Sequence, residues 1–191
     1  MRLAATAFAV FFTVASAMPA AAAQRQQDPE LRRVLAAAIA PAECFDDEYE
    51  REVWFAYMGP RLARTVKDAD ERTEILHHVH CEAKRVQLPP ELVLAVIDVE
   101  SRFDRYAVSY AGAVGLMQVM PFWPRQLGMS NEQLIRVGDN VRMGTTILGY
   151  YLAKERGNLA RALQRYNGSL GRSTYSDLVL TRLASRWRYQ S

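Results

Sequence analysis

In the apolar run LVLAVIDVESRF, residues 92–103, Val93, Val96, Ile97 and Glu100 stand at i, i+3, i+4 and i+7. A helix through that run puts one carboxylate on an otherwise apolar face. Burial without a cation penalises the charged form, so the pKa of Glu100 is expected to rise. A carboxyl tuned in that way can give a proton to a leaving group and later take one back, which is general acid/base chemistry. Asp98, two residues earlier, projects to the other side and is expected to be solvated. Downstream, Gly112 and Gly115 let the backbone of residues 109–121 approach a ligand or another chain closely, and Pro121 closes that segment. Taken by themselves, Met117 and Met120 read as core fillers and Tyr166 as a half-buried tyrosine at a helix end.

A second cluster is His77-His78-Val79-His80-Cys81. On a helix His77, His80 and Cys81 share one face, a spacing that can ligate zinc. Zinc sites usually bring a second ligand cluster, and the sequence offers none, so an ordinary amphipathic helix is the preferred reading and no metal is expected. In an oxidising compartment Cys44 and Cys81, the two cysteines, most simply pair, a bond worth roughly 2–4 kcal/mol.

The scaffold that must hold these groups reads as helices separated by turns, with no convincing alternating strand. The expected helices are 29–40, stopping at Pro41; 46–58, ending at Gly59-Pro60; 68–86; one from Pro89-Pro90 through residue 103; 139–154; 158–166; and 175–188. Turns fall at Gly157-Asn158 and Asn167-Gly168. The fold class is therefore all-α.

The first 23 of the 191 residues are set aside as a cleavable leader: Arg2, an apolar stretch from Leu3 to Ala15, and Ala21-Ala22-Ala23. That stretch is too short to span a bilayer, and no further apolar run of about 18 residues follows, which excludes an integral membrane protein. Residues 24–85 carry 10 basic and 13 acidic side chains, whereas residues 86–191 carry 13 basic and 8 acidic ones. The second half thus favours an anionic partner. Nucleic acid is not expected, because no basic run interleaved with aromatics is present.

Four ordered blocks between residues 88 and 171 go further. They are Glu100-Ser101-Arg102-Phe103; Ser109 with the run from Ala111 through Gly115-Leu116-Met117-Gln118 to Pro121; Asn140 through Leu152; and Arg165-Tyr166-Asn167-Gly168. Together they resemble the soluble lytic transglycosylases, whose architecture is lysozyme-like and goose-type. The resemblance implies a lysozyme-like domain over residues 86–191, preceded by a helical region over 24–85. It implies an enzyme without metal or organic cofactor that cleaves the β-1,4 bond between N-acetylmuramic acid and N-acetylglucosamine without water. Glu100 is the implied acid and base, and Ser109 the group that helps hold the N-acetyl carbonyl. Gln118 and Met120 are implied to line the sugar cleft; Tyr166 brings a hydroxyl near the glutamate, and Asn167 follows it.

One departure stands out: the family commonly reads Ala-Tyr-Asn-Ala-Gly where this chain has Arg165-Tyr166-Asn167-Gly168-Ser169. Arg165 is accordingly a candidate partner for a muramyl lactate or peptide carboxylate. The expected protein is a periplasmic monomer acting on peptidoglycan strands. A hydrolytic muramidase is the first alternative, and an inactive peptidoglycan-binding scaffold of a secretion, pilus or flagellar assembly the second. The muramidase would need a second carboxylate to activate water, and the scaffold has no need of Glu100.

Overall fold

The computed structural model describes residues 28–39, 44–45 and 48–188; the expected leader, residues 1–23, and Pro41 lie outside them. Among the described residues the regular structure is helical, as expected, and two isolated bridges, Val108 with Val114 and Val114 with Val119, stand in place of a sheet. Helix α1 spans Pro29–Ala37, α2 Glu48–Leu62, α3 Ala69–Arg85 and α4 Pro90–Glu100. A short α5, Phe122–Gln126, and a 3-10 turn, Asn131–Ile135, lead into α6, Val137–Lys154. Then come α7, Leu159–Asn167, and α8, Thr174–Arg182, which a π-helical turn, Leu183–Trp187, extends.

Side-chain caps fix several helix starts. Asp28 accepts the Leu31 N–H at α1, Asp68 the Glu71 N–H at α3, and Asn158 the Arg161 N–H at α7. Helix α4 is the hub: every residue from Leu92 to Asp98 is buried, as befits a helix apolar on all sides. It packs on α3, α8 and the π turn, while α6 packs on α1, α3 and α7. One hydrophobic core runs from Leu31 and Leu35 of α1 to Val179 and Trp187 at the end of the chain. Glu82, 1% exposed, lies between α3 and α6 and accepts from both Arg85 (2.7 Å) and Arg142 (2.8 Å). Arg142 also reaches the Ile39 carbonyl, which fastens the end of α1 to the same network.

Three expectations are corrected here. Helix α2 does not stop before Gly59-Pro60 but continues to Leu62. A proline inside a helix costs about 3 kcal/mol; burial of Leu62, one turn beyond the equally buried Met58, offsets it. Helix α4 stops at Glu100 instead of reaching residue 103. Arg102 and Phe103 adopt left-handed φ values of 53° and 66°, a bend held by Phe103 packing on Trp187 at 5.3 Å. Asp98 is not solvated: it is 7% exposed, pairs with Arg186 at 3.1 Å and accepts the Trp187 indole N–H at 3.0 Å. The anchor lies some 90 residues away in sequence, which local patterning does not register.

Cys44 and Cys81 form a disulfide, with Cα atoms 4.5 Å apart. His77 Nε2 lies 3.5 Å from Cys81 Sγ, but both sulfurs of this cluster are bonded to each other and not presented to a metal. His80 stacks on Phe45 at 4.3 Å.

Candidate active site

Because α4 ends at Glu100, its half-buried carboxylate leaves the core and enters a cleft. The next residue, Ser101, donates from Oγ to the Leu116 carbonyl at 2.8 Å, which couples the acid to the glycine-containing loop opposite. That loop, residues 104–121, holds its shape through backbone bonds between Val114 and Val119 and through one buried side chain, Asn140 of α6. The Asn140 Oδ1 accepts the Met117 N–H at 2.8 Å, and its Nδ2 donates to the Val114 and Leu134 carbonyls, both at 2.8 Å. Gly115, at φ +80°, leaves room for it: a Cβ there would overlap the Asn140 amide and the Leu134 carbonyl. Gly144 of α6 plays the same part for Met117, whose side chain lies where a Cβ would be.

A cavity of about 190 Å³ opens along this loop. Glu100, Ser109, Gln118, Met120, Tyr166 and Asn167 all line it, so the six residues singled out in the sequence are brought to one place. Trp123, Ile147, Val119, Ala111 and Ala113 complete the wall, and Glu100 is the sole carboxylate in that set. Grooves of about 620 and 650 Å³ lie elsewhere, beside His77 and beside Arg32, but neither is lined by Glu100. Volume therefore does not identify the site; the acid does.

Individual placements refine the expected roles. Ser109 Oγ accepts the Ala113 N–H at 3.0 Å. Gln118, at φ 49°, donates from its amide to the Ala107 and Gly115 carbonyls, and so braces the loop from within the cleft. Holding a non-glycine residue there costs of order 1–3 kcal/mol, a strain such bracing must sustain. The Tyr166 hydroxyl donates to the Met117 carbonyl at 2.6 Å. Tyr175, in the first turn of α8, donates from its hydroxyl to Glu100 Oε1 at 2.6 Å. Arg165 is held through its Nε by Glu155, which also binds Arg161, on the surface of α7.

The electrostatics are opposed in a useful way. Glu100 ends α4, where the helix carbonyls concentrate negative potential and favour the protonated acid. The Tyr175 hydroxyl favours the carboxylate. Burial first, then the charge of Glu100 and the neighbouring Tyr166, hold the Tyr175 phenol well above the usual tyrosine range, so it stays a donor throughout. One carboxyl so placed can serve as an acid and then as a base.

The transglycosylase SLT domain family matches residues 78–176, more than half of the chain. The chain belongs to the transglycosylase SLT family. Among curated relatives of this SLT chain, the membrane-bound lytic murein transglycosylase C of Actinobacillus pleuropneumoniae serotype 5b (strain L20) is 59% identical over 39 residues. The protein of the same name from Haemophilus influenzae (strain PittEE) is 49% identical over 39 residues. Each match covers 20% of the SLT chain and only 11% of the relative. Among solved structures, an inactive mutant of the lytic transglycosylase Slt from Pseudomonas aeruginosa is 27% identical, with a TM-score of 0.47, covering 71% of this chain and 25% of that one.

Three site residues of the SLT chain had no role assigned from sequence: Tyr175, Asn140 and Trp123. Tyr175 sits at the start of the segment 175–188, which the sequence marks only as a further helix. Asn140 carried no distinguishing signal, because Arg142, Thr145 and Thr146 of α6 are buried polar residues as well. Trp123 belongs to a helix of five residues that also contains Pro124, too short for periodicity to reveal.

Proposed function

We propose that the chain is a lytic transglycosylase that cleaves the β-1,4 bond between N-acetylmuramic acid and N-acetylglucosamine in peptidoglycan, leaving a 1,6-anhydromuramyl end. The observation that carries this reading is a cleft with one carboxylate, Glu100, held by the Tyr175 phenol, while the acid nearest in sequence, Asp98, is committed to Arg186 and Trp187. In the first step protonated Glu100 gives its proton to the glycosidic oxygen, and the C1–O4 bond breaks as the muramyl N-acetyl oxygen bonds to C1. In the second, the Glu100 carboxylate removes the proton from the muramyl C6 hydroxyl. The freed oxygen then bonds to C1 and displaces the acetamido oxygen. The proton returns to Glu100, no water is consumed, and one residue performs both transfers.

Ser109 and Gln118 shape the wall that receives the N-acetyl group, Met120 and Asn167 border the sugars, and Tyr166 keeps the Met117 carbonyl in place. Residues 86–191 form the catalytic part and residues 24–85 its buttress. Export through residues 1–23 places a monomer in the periplasm beside its substrate. A secretion, pilus or flagellar assembly is the class of partner for which such an enzyme would open the wall, with residues 24–85 as the docking region. Digestion of peptidoglycan in ¹⁸O-labelled water tests the reaction class: products free of label support transglycosylation, and label at a new reducing end would establish a muramidase.

A further inference from the structure

Beside the cleft, residues 109–112 form a tight turn: the Gly112 N–H donates to the Ser109 carbonyl at 2.9 Å, the Ser109 N–H to the Ala113 carbonyl at 2.9 Å, and the Ala113 N–H to Ser109 Oγ at 3.0 Å. At its tip stands Tyr110, whose side chain is fully exposed, with no hydrogen bond or ring contact among the described residues. Its two neighbours, Ser109 and Ala111, both line the Glu100 cleft. A large aromatic in water gains nothing for the fold. Here three hydrogen bonds hold its backbone firmly at the rim of a site. Tyr106 and Val108, 66% and 69% exposed, continue the apolar surface along the same segment.

We propose that Tyr110 is a stacking platform for a pyranose ring of the glycan strand where the strand leaves the catalytic cleft. The inference rests on the glycan-cleaving reading above and deepens it by assigning a specificity-determining contact. A pyranose presents axial C–H bonds on its faces and hydroxyls around its edge. A flat, electron-rich ring matches such a face, while water keeps the edge solvated. The occupant is a sugar polymer and not a protein, because the two residues that flank Tyr110 in the turn, Ser109 and Ala111, line the cavity that holds the acid. The phenol hydroxyl is not needed; the ring face is.

The test uses the full chain carrying Glu100→Gln, so that binding is read without turnover, and soluble peptidoglycan glycan strands freed of stem peptides as the probe. Tyr110→Ala in that background is expected to weaken binding about fivefold to tenfold, while Tyr110→Phe and Tyr110→Trp bind as the parent does. In the active enzyme Tyr110→Ala should raise KM for long strands by a similar factor and leave kcat within twofold, because Glu100 and its donors are untouched. Equal binding by Tyr110→Ala and the parent would overturn the proposal, and so would an equal loss in Tyr110→Phe, which would point to the hydroxyl. Thermal unfolding that matches the parent confirms that the variants are folded. If the unmodified chain neither binds nor cleaves strands, the underlying reading fails and the platform with it. Cleavage with unaltered Tyr110→Ala affinity removes the platform alone.

Discussion

The Tyr175 hydroxyl lies 2.6 Å from Glu100 Oε1, so the first turn of α8 reaches across the cleft to the last residue of α4. A hydrogen bond to a charged group is worth about 1.5–3 kcal/mol. Tyr175→Phe is therefore expected to lower kcat about tenfold to a hundredfold while the fold persists. The sign of the pH effect follows. The donor favours the carboxylate, so its loss makes Glu100 easier to protonate, and the alkaline limb of kcat/KM moves to higher pH. A pH–rate profile with that limb unmoved would remove Tyr175 from its positioning role.

Asp98 and Glu100 are two residues apart on α4 and do different things. Asp98→Asn removes the charge that Arg186 and Trp187 share. Leaving those donors underpaired in a half-buried setting should cost about 2–4 kcal/mol of stability. Urea unfolding reads that loss, and the reaction products should be unchanged. A change in product type with Asp98→Asn would show that it acts on the substrate.

The division between what the sequence reveals and what it hides can be followed on these same helices. The apolar run of residues 92–97 is enough to locate α4 but not to sort its faces, since every residue from Leu92 to Asp98 is buried and Glu100 is only half-buried, whereas Asp68 and Asn158 mark starts that the structure keeps to within one residue. The misreadings share a cause. Met58 and Leu62 carry α2 through Pro60, Phe103 bends the chain after Glu100, and Arg186 and Trp187 draw Asp98 inward. In each case a tertiary contact overrides a local preference. The same holds at the site: the family motif gathers Glu100, Ser109, Gln118 and Tyr166, whereas Tyr175 and Asn140 matter through partners 75 and 23 residues away.

Gly144 leaves the space that the Met117 side chain fills, and the Met117 carbonyl accepts the Tyr166 hydroxyl. Gly144→Ala forces an overlap on that side chain, a kind of overpacking that costs about 1–3 kcal/mol. The expected result is a lower urea midpoint together with reduced kcat, since the displaced loop lines the cleft. Loss of stability with kcat unchanged would mean that Met117 moves without the cleft following.

His78 is packed against Gly138 at the start of α6. Burial first, and then the charge of His77, lower its imidazole below the usual 6.5. The folded state therefore prefers neutral His78, and the unfolded chain takes up the proton first. Stability from this source is complete above about pH 6.5 and falls as the pH drops below it. Melting temperatures between pH 8 and pH 5 should show the decline, reduced in His78→Gln. An identical decline in the variant would assign it to other groups.

In the proposed reaction Glu100 alone moves both protons. Digestion of purified peptidoglycan, with the released muropeptides weighed and Glu100→Gln run alongside, decides whether it does. The parent chain is expected to release products one water lighter than hydrolysis products, all ending in 1,6-anhydromuramic acid, and Glu100→Gln none. Anhydro products that persist in Glu100→Gln, or hydrolysis products from the parent chain, would contradict it.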